Sequence, residues 1–492
     1  ASYSVDGNDV LSRRTLAHPG PLLNVFRAFT DNDIWFQKRY WDSGIGSLEH
    51  RPVSVNLERL GSSAARVSVN MQVRGFKGTG FDQLAQYTVL ADGSVVIDNS
   101  ITPFGNLPPL PKMGLILSLG DEFDDFSWFG RGPIESYPDR KSAVDVGLYK
   151  GKVAAQFQEY VRPQENGNKE DVRWGALTNA QGIGILFQAS GHLAMTVSRF
   201  RPEEIDNARH ENGEPRKYNR LSPRPDVTVS LDAQQMGLGG ASCGPGPMEQ
   251  YLCMPKPVQF RVTMRPVRSG DDLRALGRLQ TPVPLAPVMV RGDDGVVTVS
   301  ASGALVIEID GNRVDGSKPI PLAGGGTVRA YTEGNVSGPA VQRRFDKVVP
   351  VARIPVDAVE TSSFEGGEGE AENAFDDDPS TYWHTEYSGS TPKHPHSLTV
   401  RFERMQTVVG FDYLARQANG NGRVGKFRLE YSLDGAAFTQ ALAGEFSTSL
   451  ERQRIFLPKP IESVIAVRFV ALSEVNGGPW ASVAEVAFLN SP

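Results

Sequence analysis

An all-β fold made of several sandwiches is what this sequence predicts, and three observations carry the prediction. Runs such as "ARVSVNMQVRG", "QYTVLADGSVVIDNSITPF", "VVTVSASGALVIEIDG" and "KFRLEYSLDG" alternate apolar and polar residues at period two. Turn residues such as Asp-Gly bound many of them. Helical periodicity is scarce, with "DDLRALGRL" (271–279) the clearest short candidate. Several short strands between turn signals are the signature of sandwiches.

A chain of 492 residues exceeds what one core organises, and composition shifts divide it. A large unit spans 1–268. The Pro-rich stretch "LQTPVPLAPVMV" marks a linker at 269–284 and just beyond. Residues 285–350 read as a small immunoglobulin- or fibronectin-like sandwich, a spacer without chemistry of its own. A second joint in "VVPVARIPVDAVETSSFEGGEGEAEN" opens the last unit, 351–492.

Bulk properties exclude several function classes. The net charge of −6 is mild and Lys and Arg are dispersed, which leaves no footprint for nucleic acid and no polybasic membrane patch. No apolar run approaches the roughly 20 residues that span a bilayer. Two cysteines, Cys243 and Cys253, are far from a disulfide scaffold, and free thiols are favoured over a bridge. The chain starts at Ala1 without methionine, so a mature form after signal removal or a piece of something longer is expected, in a secreted or periplasmic setting.

Four segments of the first unit hold its special chemistry: "FRAFTDND" (26–33), "WFGRGPIESYPDRKSAVDVGLY" (128–149), "RPQENGNKEDVRW" (162–174) and "QQMGLGGASCGPGP" (234–247). Glu135, Asp139 and Arg140 read as a charge network that holds loops rigid. Glu165 and Arg173 read as a pair, Asn166 as a turn cap and Trp174 as core. The closely spaced glycines of 237–246 cannot pack a core and instead let the backbone pass close to something else. Cys243 reads as a small buried filler.

In this order these segments resemble the β-galactosidase small-chain domain, the large sandwich that follows the catalytic barrel in glycoside hydrolase family 2 enzymes. The resemblance covers about 1–268. It implies that Gly239, Gly240, Ser242 and Cys243 form the rim of a sugar pocket, and that the partner of this chain is a catalytic α/β barrel in the same protein or another subunit. Cys243 stands where many members place a tryptophan. Retaining glycosidases of this class need two carboxylates roughly 5–5.5 Å apart, carried in the family by the barrel. No strand–helix alternation of that kind occurs here, so the chain by itself is expected to be inactive, with no catalytic residues. Adjacent acids such as Asp124 and Asp125 or Glu203 and Glu204 read as surface charge.

In the last unit, "DDDPST" gathers Asp376, Asp378 and Thr381 in one turn, with Glu485 on the final strand. Hard oxygen donors of this sort suit Ca²⁺; the alternative is a turn whose aspartates cap backbone amides. Together "NAFDDDPSTYWHT", "HPHSLTVRF", "FDYLARQANGNGRVGKFRLEYSLDG" and "WASVAEVAFL" resemble the discoidin or coagulation-factor type C fold, a jelly-roll sandwich, most closely carbohydrate-binding module family 32. That resemblance implies a structural calcium and a galactose-type glycan site at Arg416, Asn421 and Trp480, with His384 and Tyr387 as further partners. Sugar recognition needs a flat aromatic under the apolar ring face and a few fixed polar groups around the hydroxyls. Trp480 is expected exposed, Trp383 in the core, and His394 and His396 exposed at a strand entry.

Two functions fit. One is the C-terminal part or small subunit of a family 2 β-galactosidase with a glycan-binding module attached. The other is a free-standing, lectin-like glycan-binding protein. A homo-oligomer is compatible with either.

Overall fold

A computed structural model of the chain describes residues 2–491 except 12–19, 77, 209, 212–213, 216–220, 317, 418–419 and 449. Ala1, on which the expectation about the chain start rests, lies outside the described residues. The fold is all-β. The chain divides into two compact units: Ala1–Pro287 with Ala301–Val306 and Tyr331–Val341, and Val288–Ser300 with Ile307–Ala330 and Gln342–Pro492. The stretch read as a spacer carries two small antiparallel sheets and contributes residues to both units.

The first unit is built on one twelve-stranded sheet. Its main path runs 145–152, 125–132, 169–178, 184–198, 258–267, 95–104, 80–90, 64–74 and 49–60. A second layer forms because strand Gly184–Ser198 changes partners along its length. Residues 184–189 pair with Val258–Val267, whereas 194–198 pair with Val227–Gln235. Gly191 sits between the two pairings at φ +94°, a backbone state that a side chain would oppose. This is how one strand turns a sandwich corner. Val227–Gln235 then pairs with Lys112–Leu119, which pairs with Leu22–Asn24. Between the layers lie Leu115, Leu117, Phe126, Trp128, Phe187, Val229, Leu231 and Met264, with Phe126 and Trp128 stacked at 4.7 Å.

Two elements bear on the sequence reading. The helix Ile34–Ser43 interrupts the strands and is closed by Gly44 in the left-handed region at φ +84°. Its Phe36 and Tyr40 pack on Phe29. The expected helix at 271–279 is a single turn, Leu273–Leu276, started by the Asp272 side chain accepting from the Arg274 N–H. It lies on buried Trp174, so close that a Cβ on Gly277 would fall 2.3 Å from the indole.

In the second unit an eight-stranded sheet runs 352–353, 482–490, 396–415, 453–471, 426–432 and 439–445, with Ala358–Thr361 and Trp383–His384 added at its sides. Its core is aromatic: Trp383, Phe411, Tyr413, Phe427, Phe446, Phe469 and Phe488. Trp383 is fully buried and its indole N–H donates to the Ser363 carbonyl at 3.0 Å.

Candidate functional sites

In the first unit the glycine-rich loop is held from below. Both oxygens of Asp139 accept backbone N–H groups, from Leu238 at 3.0 Å and Gly239 at 2.7 Å. The Gly239 carbonyl in turn accepts from Arg140 and from Asn32, and Asn32 accepts from the Ser242 N–H at 3.0 Å. A side chain on Gly237 would collide with the Asp139 carboxylate, and Gly239 has φ +61° with Pro247 2.5 Å from where a Cβ would stand. These glycines are therefore required by close approach, as expected. Ser242 and Cys243 are exposed, and both cysteines are free thiols. Cys243 is thus no buried filler, because the loop that carries it projects from its tether; Cys253 is the buried one.

Beneath the loop, Arg27 is fully buried. It pairs with Asp33 at 3.0 Å and donates to the Met236 carbonyl at 2.6 Å. Glu165 is buried nearby. Desolvation pushes its carboxyl up to about 7, although Lys112 and Arg27 pull the other way, and its Oε1 has no partner among the described residues. The expected Glu165–Arg173 pair is not formed. Arg173 instead donates to the Asp171 carbonyl and lies over the Phe129 ring, since Glu165 sits in the loop before the strand Lys169–Thr178 that carries Arg173. Asn166 does cap its loop, accepting from the Gln158 N–H. Of the expected charge network, Glu135 accepts the Gly167 N–H at 2.7 Å and also bonds the Tyr160 hydroxyl.

In the second unit, the short strand Trp383–His384 pairs with the last strand, and Thr385 and Ala481 exchange two bonds beside it. This lays His384 near the turn that ends in Trp480. His384 is buried and its Nδ1 lies 2.6 Å from the Thr385 carbonyl, so Nδ1 carries the proton and Nε2 is left as an acceptor. Burial holds the imidazole below its usual pKa and hence neutral. The Tyr387 ring stands edge-on to it at 5.3 Å, with its hydroxyl donating to Glu368. Arg416 is buried too. Its guanidinium lies 3.8 Å from the Tyr382 ring centre and donates to the Tyr382 hydroxyl, while its Nε has no partner among the described residues. The structure thus brings Arg416, Tyr382, His384 and Tyr387 together.

Trp480 is half-buried rather than exposed, because its ring folds back over Gly478, which has no side chain to hold it off. Its indole Nε1 is buried without a partner among the described residues. Asn421 is exposed on the facing loop, within which Ala418 and Asn419 lie outside the described residues. Glu474, not singled out in the sequence, organises both sides. One oxygen accepts the Gly422 N–H, and the other accepts those of Asn476 and Gly478 at 2.8 and 2.7 Å. Glu365 does the same for Tyr387 and Ser388. His396 is buried, contrary to expectation. Its Nε2 lies 2.7 Å from the Pro479 carbonyl, which ties the strand to the Trp480 turn.

At the aspartate turn, Asp376 accepts from Thr381 Oγ1 at 2.7 Å and from the Asp378 N–H. Asp378 is occupied by Ser380, whose N–H and hydroxyl both reach it. Glu485 is buried beside Asp376. Desolvation first and then Asp376 push its carboxyl up to about 7, and its Oε1 has no partner among the described residues. Two carboxylates, a hydroxyl and adjacent carbonyls are hard oxygen donors, and the unpartnered buried oxygen is what a cation would satisfy. Among the described residues no group of three or more His, Cys, Asp and Glu side chains converges as a metal cage. No described helix is long and apolar enough to cross a membrane.

The family model described as Beta galactosidase small chain matches residues 1–264, and that described as F5/8 type C domain matches 358–486. A Beta-galactosidase of Priestia megaterium is 32% identical over 219 residues, covering 44% of this chain and 20% of that protein. One from Photobacterium profundum is 29% identical over 281 residues, covering 54% of this chain and 25% of that protein. The chain thus spans a fifth to a quarter of the length of these relatives. Among solved structures, the family 32 CBM from C. perfringens NanJ in complex with galactose aligns at 25% identity and TM-score 0.25, covering 27% of this chain and 93% of that one. A Clostridium perfringens CBM32 in complex with GalNAc-beta-1,3-galactose aligns at 29% identity and TM-score 0.25, with the same 27% and 93% coverage. With the small-chain model spanning more than half of its length, the chain belongs to the β-galactosidase small-chain family.

Proposed function

We propose that this chain is the non-catalytic C-terminal part or small subunit of a β-galactosidase-type glycoside hydrolase acting in carbohydrate breakdown. Its glycine-rich loop completes the rim of a sugar pocket whose carboxylates lie in a catalytic barrel. The observation that carries this reading is the tether of that loop: Asp139, Arg140 and Asn32 fix Gly239 and Ser242 in place while leaving Ser242 and Cys243 exposed. A preset backbone edge costs little ordering entropy when a partner docks against it. The test is an assay of the purified chain on nitrophenyl β-galactoside, alone and with a barrel polypeptide of the same family. Activity only with the barrel, reduced when Gly239 is replaced by Val, is expected. Turnover that follows the purified chain alone through repurification overturns the proposal.

The second unit supplies glycan binding in this reading. His384 Nε2, Arg416 and the Trp480 indole N–H are polar groups held by the fold with bonding capacity left over, and Trp480 and Tyr387 supply rings. That combination suits a galactose-type neutral sugar. A structural Ca²⁺ at Asp376, Thr381 and Glu485, with Asp378 bracing the turn, completes the reading, together with a secreted or periplasmic setting.

A further inference from the structure

On the eight-stranded sheet of the second unit, strand register gathers charge on the outer face. Leu398, Val400, Leu429 and Phe469 belong to the core, so the residues alternating with them face outward. Glu360, Thr399, Arg468 and Glu430 then stand side by side on four neighbouring strands. Ser397, Val470 and Arg428 form the next row. A cavity of about 320 Å³ opens over both rows, bordered also by Thr361, Ser362 and Pro395.

The two arginines at this cavity are held in place with donors to spare. One carboxylate, Glu430, serves both. Its Oε1 accepts from Arg428 Nε at 2.7 Å, and its Oε2 lies 3.5 Å from Arg468 Nη1. Glu360 faces Arg401 instead, at 3.8 Å. Three guanidiniums thus meet two carboxylates, which leaves one positive charge in excess. Arg468 also lies over the Phe438 ring, 3.8 Å from its centre, and its Nε donates to Thr399 Oγ1. Those two contacts fix its guanidinium before any ligand arrives. No terminal nitrogen of Arg428 or Arg468 donates a hydrogen bond among the described residues. Both side chains are 35% exposed, so a solute can reach them.

An anion is what this arrangement lacks. A carboxylate is planar, takes paired N–H groups from a guanidinium, and answers a single surplus charge. The cavity is larger than a carboxylate alone fills, and Thr361, Ser362 and Ser397 border it with hydroxyls. Ser362 Oγ accepts the Ser397 N–H at 3.0 Å, so its own proton is left to donate. Hydroxyls that donate and accept match those of a sugar ring.

We propose that this sheet face binds a hexuronate residue, its carboxylate on Arg428 and Arg468 and its ring hydroxyls toward Ser362 and Ser397. The site shares no residue with the glycan site at His384, Arg416 and Trp480 and does not rest on it.

Calorimetric titration of the full chain with sodium D-galacturonate and sodium D-glucuronate tests this, with sodium acetate and sodium sulfate as plain anions. The expected result is millimolar binding of at least one uronate, at least tenfold tighter than acetate or sulfate. Added salt should weaken it, because partly exposed charges are screened. Arg428→Gln and Arg468→Gln should each weaken it at least tenfold, whereas saturating methyl β-galactoside should not displace it. Four results overturn the proposal: no uronate binding at millimolar concentration, acetate or sulfate bound as tightly, displacement by the galactoside, or unchanged affinity in both variants. Crystals of the native chain soaked in the bound uronate give a readout that stands even if a variant fails to fold. Density over Arg428 and Arg468 supports the site, and density only elsewhere overturns it.

Discussion

The carboxylate of Asp139 accepts the backbone N–H of Gly239 at 2.7 Å across 100 residues of sequence, and its other oxygen takes the neighbouring Leu238 N–H. Two charge-assisted bonds to consecutive amides fix a segment that has few side chains of its own to anchor it. Replacing Asp139 with Ala should therefore release the loop while the sheets persist. We expect a stability loss of roughly 1–3 kcal/mol and faster proteolytic nicking between residues 240 and 248. Unchanged cleavage kinetics would show that Arg140 and Asn32 suffice.

Glu165 gives a pH signature. Its folded pKa of about 7 stands above the ordinary glutamate value of 4.5, because burial disfavours the charged form. A carboxyl raised on folding contributes its stability below the unfolded value and loses it as pH rises through the folded value. Glu165→Gln should thus matter little at pH 4 and stabilise the chain by roughly 1–3 kcal/mol at pH 8. Chemical denaturation at both pH values decides it. A destabilised variant at pH 8 would mean that the ionised carboxylate is held by Arg27 and Lys112 more strongly than burial opposes it.

The proposed calcium site predicts a shift in melting. A cation that binds the folded state alone at 100 times its dissociation constant adds about 2.7 kcal/mol. Calcium should therefore raise the transition of the second unit, chelator should reverse it, and Glu485→Gln should abolish the increment. Magnesium should do less, because it demands tighter octahedral geometry. Identical midpoints with calcium and with chelator would leave the aspartates as turn caps.

Glycan binding by the second unit should be weak, in the millimolar to high-micromolar range, since sugar hydroxyls already bond well to water. Arg416→Ala and Trp480→Ala should each reduce it at least tenfold. Because the Trp480 ring covers Gly478, its truncation should also cost about 1 kcal/mol of stability. Glu474→Gln should weaken binding without touching the sugar, by loosening the turns at Gly422 and Gly478. Calorimetric titration with methyl β-galactoside measures all three. No heat at millimolar sugar with the native chain would remove the site.

Much of this was legible locally. Period-two alternation marked the strands, and glycine spacing marked a backbone that must pass close to a neighbour, which proved to be Asp139 for Gly237. The burial of Trp174 and Trp383 followed from their flanking patterns. Less legible were partners set by register. Glu165 and Arg173 looked like a pair in one segment, but Glu165 is buried in the loop before the strand that carries Arg173, whose guanidinium lies over Phe129. The helix Ile34–Ser43 went unread because Trp, Phe and Tyr favour strands as readily as a buried helix face. Glu474 carried no signal at all, since a lone acid before "VNGGPW" looks like any solvated charge until the turn folds around it.

By itself, then, the sequence determined the all-β class, the family membership of its first half and the residue types gathered at each candidate site. These depend on interactions within a strand or a turn, where spacing along the chain equals proximity in space. Only the tertiary structure decided which of those groups are satisfied. It buried His396 and half-buried Trp480, tied Asp139 to a loop far away in sequence, and left Gln235, Asp232 and Glu485 with polar atoms unmatched among the described residues. Burial and hydrogen-bond completion are set by what packs against a residue from distant segments, and no local pattern encodes that.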